Sequence, residues 1–299
     1  MIKGCLHKKS DTLLFADLSL LAVVIVWGYT FVAIKNALAD VTPFNFIALR
    51  FILALVILLL IFHKRLSGLN RYILFRGSVV GVFLFFAYAF QTVGLKYTTA
   101  SNAGFITGFS VVLVPLFSAL ILKARPSIES TIGVICAIAG LFFLSYNGGF
   151  AVNKGDILVL FCALAVAFHI LTVGYYTKKM DSILLTIVQV GVVAILSVIS
   201  ALLFEETVIP QERVVWEAIL VTSIFATVGA YLIQNIMQRF TSSTHTALIF
   251  SGEPVFAGIF GYYLLGERLG CWSVLGCILI LAGMIISELR ISGKEDIEP

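Results

Sequence analysis

Glu253, followed at once by Pro254, stands inside a long apolar run, about 11 residues and roughly 16 Å from its start. A charge at such a depth in a membrane span costs about 3 kcal/mol on insertion scales, so it needs a reason. Pro254 cannot donate to the carbonyl of Phe250, which leaves a second polar group free at the same level. A carboxyl placed there could bind a substrate or carry a proton, or it could fix helix packing through hydrogen bonds. His245, Ile249 and Glu253 are spaced four apart, so one helix face would run from the start of the span to its middle and could relay protons. His169 lies in another apolar run. For both histidines the competing role is that of a hydrogen-bonded core side chain.

Tyrosine and glutamine also occur as a pair at i and i+3, a spacing that puts them on one helix face. Tyr88 and Gln91, in AYAFQ, recur 143 positions later as Tyr231 and Gln234, in AYLIQ. Such a pair suits a substrate contact, a gate closed by hydrogen bonds, or ordinary bonding between helices. Arg50 could snorkel along its alkyl stem or face an anion in a cavity, and at a slightly shorter offset its counterpart is Gln189. Lys35, at the end of its run, reaches water more easily. Trp27 adds an aromatic surface that, with the two tyrosines, could hold an amphipathic solute such as an amino acid or an aromatic metabolite, and Asn102 adds an amide. The five cysteines show no CxxC spacing and read as small buried side chains, with no disulfide, metal or other cofactor expected.

Elements that position these residues follow from composition. The chain has 299 residues, 60% of them hydrophobic and 12% charged, too apolar for a soluble fold of that size. A bilayer crossing needs about 20 mostly apolar residues in a helix. Ten runs qualify: 17–36, 44–62, 74–95, 99–122, 128–146, 155–176, 183–204, 215–237, 242–265 and 271–289. They are too long, and lack the alternation, for the strands of a barrel. An all-α polytopic membrane protein with ten transmembrane helices is therefore expected.

The offset that joins the tyrosines also pairs Thr98 with Thr241, Arg125 with Arg268, Ser130 with Ser273, Gly133 with Gly276, and Ala139-Gly140 with Ala282-Gly283, without a gap. The chain thus carries one unit twice. Five spans per unit is an odd number, so the second copy must cross the membrane in the opposite sense, which predicts two inverted five-helix repeats. The units are 17–146 and 155–289, joined by a linker at 147–154 and flanked by polar segments 1–16 and 290–299. Gln91 would then lie in the outer third of its span and Gln234 in the inner third, facing opposite ends of one pathway. With the N-terminus cytoplasmic, loops on that side hold thirteen Lys and Arg against four on the other, which predicts both termini in the cytoplasm of a cell-membrane protein and argues against nucleic acid as the partner of the basic balance.

The motifs WGYTFVAIK at 27–35, TPFNFIALRF at 42–51, TTASNAGFI at 98–106, EPVFAG at 253–258, LLGER at 264–268 and the glycine-containing GVICAIAG and GCILILAG, in this order, resemble those of the EamA-type ten-span carriers of the drug/metabolite transporter superfamily. The resemblance covers nearly the whole chain. It departs from the usual pattern at Lys123-Ala124-Arg125, where many relatives carry an acid in the place that Glu267 holds in the second half. It implies a basket-like bundle around a central cavity, moving a small metabolite by alternating access and commonly outward. The partners expected are a small-molecule substrate, the lipid bilayer, and protons or a counter-solute as the driving species. No GxxxxGK[ST] loop, HExxH or GxSxG motif is present. A membrane-embedded enzyme, or a scaffold without transport activity, is the competing class.

Overall fold

In lipid an apolar run satisfies its own peptide groups only by coiling, and every run read above does so. The computed structural model describes residues 2–121, 128–145, 153–240 and 243–288, with no strand among them. The helices are α1 (Ile2–Ala37), α2 (Pro43–Phe62), α3 (Arg71–Leu95), α4 (Ala100–Gly108), α5 (Ser110–Ile121), α6 (Ile128–Ser145), α7 (Lys154–Thr177), α8 (Ser182–Phe204), α9 (Arg213–Ser223), α10 (Ala230–Met237), α11 (Ser243–Phe250), α12 (Glu253–Leu265) and α13 (Cys271–Glu288). Three pairs, α4–α5, α9–α10 and α11–α12, are single passages with an interruption, so the fold is ten transmembrane helices in two five-helix repeats. Seven of the passages are long and apolar enough to cross a membrane without interruption of the apolar character; α6 and α13 carry shorter apolar stretches, Thr131–Leu144 and Cys271–Ile286. Large apolar side chains such as Leu60, Phe75, Ile135 and Phe204 point outward, as a lipid solvent requires.

Contacts between α6 and α13 establish the inversion. A Cβ on Gly276 would lie 2.6 Å from the carbonyl oxygen of Gly140, and a Cβ on Gly283 would lie 2.6 Å from that of Gly133. Residue numbers rise along one helix as they fall along the other, so the two run antiparallel. Because Gly133 matches Gly276 and Gly140 matches Gly283 in the repeat, antiparallel packing of these helices means that the copies are upside down relative to each other. Helices α2 and α8, the second of each repeat, also pack on one another, as do α4 and α12 of the fourth passages. Each such pair lies across a pseudo-twofold axis in the membrane plane.

Carboxylates from one repeat close helix ends in the other. Helix α2 begins with Pro43 and has no side-chain cap of its own; Glu205, just beyond α8, accepts from the N–H groups of Phe44 and Asn45 at 3.0 Å each. Glu267 accepts from the N–H groups of Ala100 and Ser101 at 2.8 and 2.9 Å, at the start of α4. Gly266, with φ 65°, ends α12 in the left-handed region and turns the chain so that Glu267 reaches that position. Helix α3 is treated differently: Lys35 Nζ donates to the carbonyls of Leu95 and Thr98 at its end, at 2.6 and 2.5 Å.

Helix α1 begins at Ile2, inside the segment read as a separate polar tail, because a helix bonded within itself need not stop at the membrane boundary. Lys123, Ala124 and Arg125, the linker before Asn153 and the tail 290–299 lie outside the described residues.

Candidate substrate cavity

Both interrupted fourth passages break at the same place in the repeat. The turn at Phe109 separates α4 from α5, and its counterpart Gly252 separates α11 from α12. Pro254 occupies the first turn of α12, where its missing N–H has no bond to lose. Gly108 admits the Pro254 ring, since a Cβ there would stand 2.9 Å from Pro254 Cγ. The prolines themselves, Pro115 and Pro254, are not counterparts; the breaks are.

A cavity of about 650 Å3, counted with its open side, lies between these breaks and the tyrosines. Its walls carry four pairs of repeat counterparts: Tyr88 and Tyr231, Gln91 and Gln234, Thr107 and Phe250, Ser110 and Glu253. The axis passes between the two tyrosine hydroxyls, because Tyr231 Oη donates to Tyr88 Oη at 2.8 Å across an offset of 143 residues. Two pairs are identical in chemistry and two have diverged. Divergence puts Glu253 on one side of the axis and Ser110 on the other, so one acid serves the whole cavity wall.

A π turn at Ile224–Gly229 supplies what lies behind the tyrosines. Here the Ala226 carbonyl accepts from Trp27 Nε1 at 3.0 Å and from Arg50 Nη2 at 3.3 Å. Arg50 also donates from Nε to Thr227 Oγ1 at 2.8 Å and from Nη2 to Tyr88 Oη at 3.0 Å, with its guanidinium 4.6 Å from the Tyr88 ring centre. It is 1% exposed and no carboxylate pairs with it among the described residues. The hydroxyl, amide and ring contacts therefore carry its solvation. Trp27 packs at a tilt against Tyr231 and edge-on against Phe250, with ring centres 5.5 and 5.1 Å away.

Of the residues singled out by sequence, Trp27, Tyr88, Gln91, His169, Tyr231, Gln234 and Glu253 line this one cavity. Arg50 stands behind Tyr88. Gln189 stands behind His169, 2.9 Å from its Nε2 through the amide oxygen, and its own Nε2 has no partner. Asn102 lies in the first turn of α4, where its N–H donates to the Thr99 cap at 3.0 Å, and does not line the cavity. His245 turns away to Asp17 Oδ1 at 2.9 Å. The Ser251–Gly252 turn breaks the helix between His245 and Glu253, so their spacing of eight does not place them on one continuous face. Gln91 and Gln234, expected at opposite ends of a pathway, flank the tyrosines in one chamber instead. Gln91 Nε2 donates to Thr107 Oγ1 at 3.4 Å, whereas Gln234 Oε1 is buried without a partner.

Sequence reasoning passed over Thr30, Thr107, Ser110 and Cys162, which also line the cavity. The repeat offset leads from Phe250 to Thr107 and from Glu253 to Ser110. Helical spacing leads from Trp27 to Thr30 and from His169 back to Cys162.

Relatives with this sequence organisation are named as transporters. The profile of the EamA-like transporter family matches residues 14–146 and 153–289, and the chain belongs to that family. An uncharacterized transporter of Archaeoglobus fulgidus is 40% identical over 279 residues, covering 93% of this chain and 87% of its own length. A second from that organism is 30% identical, over 91% of this chain and 97% of its own. The uncharacterized transporter YoaV of Bacillus subtilis is 24% identical, over 93% and 98%. A protein of known crystal structure shares the fold with a TM-score of 0.66 at 21% identity, over 91% of this chain and 96% of its own. By family the chain is a multi-pass membrane transporter.

Proposed function

We propose that the protein is a secondary carrier that moves a small amphipathic metabolite by alternating access, with Glu253 as the ionisable group that couples movement to a proton or a counter-solute. The observation that carries this reading is the Tyr88–Tyr231 bond on the inversion axis, with the cavity built around it from both repeats. A site on such an axis is reached equally from either membrane face when one repeat exchanges conformation with the other. Trp27, Tyr88, Tyr231 and Phe250 supply apolar ring surface, while Gln91, Gln234, Ser110 and Glu253 supply the few polar groups that orient a solute. The resemblance to EamA-type carriers favours export, and the loop charges favour both termini in the cytoplasm of a cell membrane.

The test begins with a metabolite comparison of cells with and without the protein, followed by transport of the changed compound in reconstituted vesicles. Glu253→Gln should then abolish or uncouple transport at an unchanged membrane level of protein. Normal gradient-dependent movement by that variant removes Glu253 from coupling.

A further inference from the structure

Away from the cavity, a cluster of cations and rings faces lipid where α3 begins and α7 ends. Arg76 is five positions past Arg71, about 7.5 Å along the helix and inside the span. Its guanidinium lies among three rings, 5.7 Å from the centre of Tyr72, 5.6 Å from Phe75 and 5.6 Å from Tyr176, and Nη1 donates to Tyr176 Oη at 3.0 Å. One turn beyond Tyr175, Lys179 Nζ lies 3.6 Å over the Tyr175 ring, which meets the Tyr176 ring edge-on with centres 5.1 Å apart. Tyr72, Phe75 and Tyr175 are outward-facing, at 48%, 65% and 49% exposure. Neither cation has a carboxylate partner among the described residues, whereas neighbouring Arg65 is paired with Asp181 at 2.7 Å.

A guanidinium has five N–H donors in a fork that fits phosphate oxygens, and one bond to a phenol leaves most of them unmet. At this depth the bilayer offers one abundant anion, the lipid headgroup. The exposed rings fit the same partner, since aromatic side chains at the interface pack along glycerol and upper acyl segments. We infer that Arg76 and Lys179, seated on Tyr72, Phe75, Tyr175 and Tyr176, form a binding site for the phosphate of an anionic phospholipid held against α3 and α7. Arg76 grips the phosphate from within the span and Lys179 closes over it from the helix end. Because α3 and α7 belong to different repeats and both line the cavity, such a lipid would bridge the halves.

Native mass spectrometry of the purified full chain, titrated with phosphatidylglycerol or phosphatidylcholine, tests the site. Phosphatidylglycerol should be retained in preference. Lys179→Gln, an exposed substitution that leaves packing alone, should weaken its retention about five-fold, and Arg76→Gln with Lys179→Gln about 25-fold. Lys64→Gln with Arg239→Gln removes as much charge from exposed positions elsewhere on the same side and should leave retention within about two-fold. Equal retention of the two lipids, an equal loss in the Lys64/Arg239 control, or displacement of phosphatidylglycerol by millimolar inorganic phosphate would each overturn the proposal.

Discussion

Tyr88 accepts two hydrogen bonds, from Arg50 and from Tyr231, and that makes the two tyrosines unequal despite their symmetric placement. Removing the Tyr88 hydroxyl strands a buried guanidinium N–H and a buried phenol together. Removing the Tyr231 hydroxyl leaves Tyr88 still bonded to Arg50. Tyr88→Phe should therefore lower stability by about 1–3 kcal/mol, and Tyr231→Phe by about 0.5–1.5 kcal/mol, in denaturant titration of the purified protein. The reverse order would mean that the Arg50 contact does not hold Tyr88 in place. Arg50 was legible as a costly intramembrane cation, and its kind of partner was not. The acceptors it uses are a threonine, a phenol and a carbonyl aligned by a π turn, and none of these stands out in sequence beside a glutamate.

At the scale of elements, close approach of α6 and α13 depends on missing side chains. A Cβ on Gly140 would stand 2.7 Å from the Gly276 oxygen and 2.8 Å from the Ile280 nitrogen, both backbone atoms that cannot rotate aside. Gly140→Ala should cost about 1–3 kcal/mol by forcing the helices apart. Gly191→Ala is the comparison: there the new Cβ meets only Leu55 methyl groups, at 3.6 and 3.9 Å, and should be neutral or stabilising by up to about 1 kcal/mol. Equal melting of the two variants would show that α6 and α13 can part without loss. The glycines were visible as repeat counterparts. That Gly140 meets Gly276 while their counterparts Gly283 and Gly133 meet each other follows from the inversion and was open to inference, but the tightness of contact depends on rotation of each helix about its axis, which apolar sequences on all sides leave unspecified.

For the whole molecule, exchange of conformations between the repeats predicts reciprocal access. Single cysteines at Gln91 and at Gln234, in a chain whose native cysteines are replaced, should react together with membrane-impermeant thiol reagents from whichever face the shared chamber is open to, and transported substrate should raise both rates from one face while lowering both from the other. Simultaneous reaction of both from both faces would describe a channel. Residue order alone established a membrane chain, its helices, the duplication and, through an odd span number, the inversion, because each depends on length, composition or parity and not on three-dimensional detail. It also named the polar residues of the cavity wall in large part, since polar groups in an apolar run are rare. The folded arrangement was needed to see that Tyr88 and Tyr231 bond to each other, that Gln91 and Gln234 share one chamber, that His245 turns to Asp17, and that Glu205 and Glu267 cap helices of the opposite repeat. Those pairings join residues far apart in the chain, and in a bundle nearly apolar on every side they are chosen by helix rotation, breaks and close packing, which no local pattern encodes.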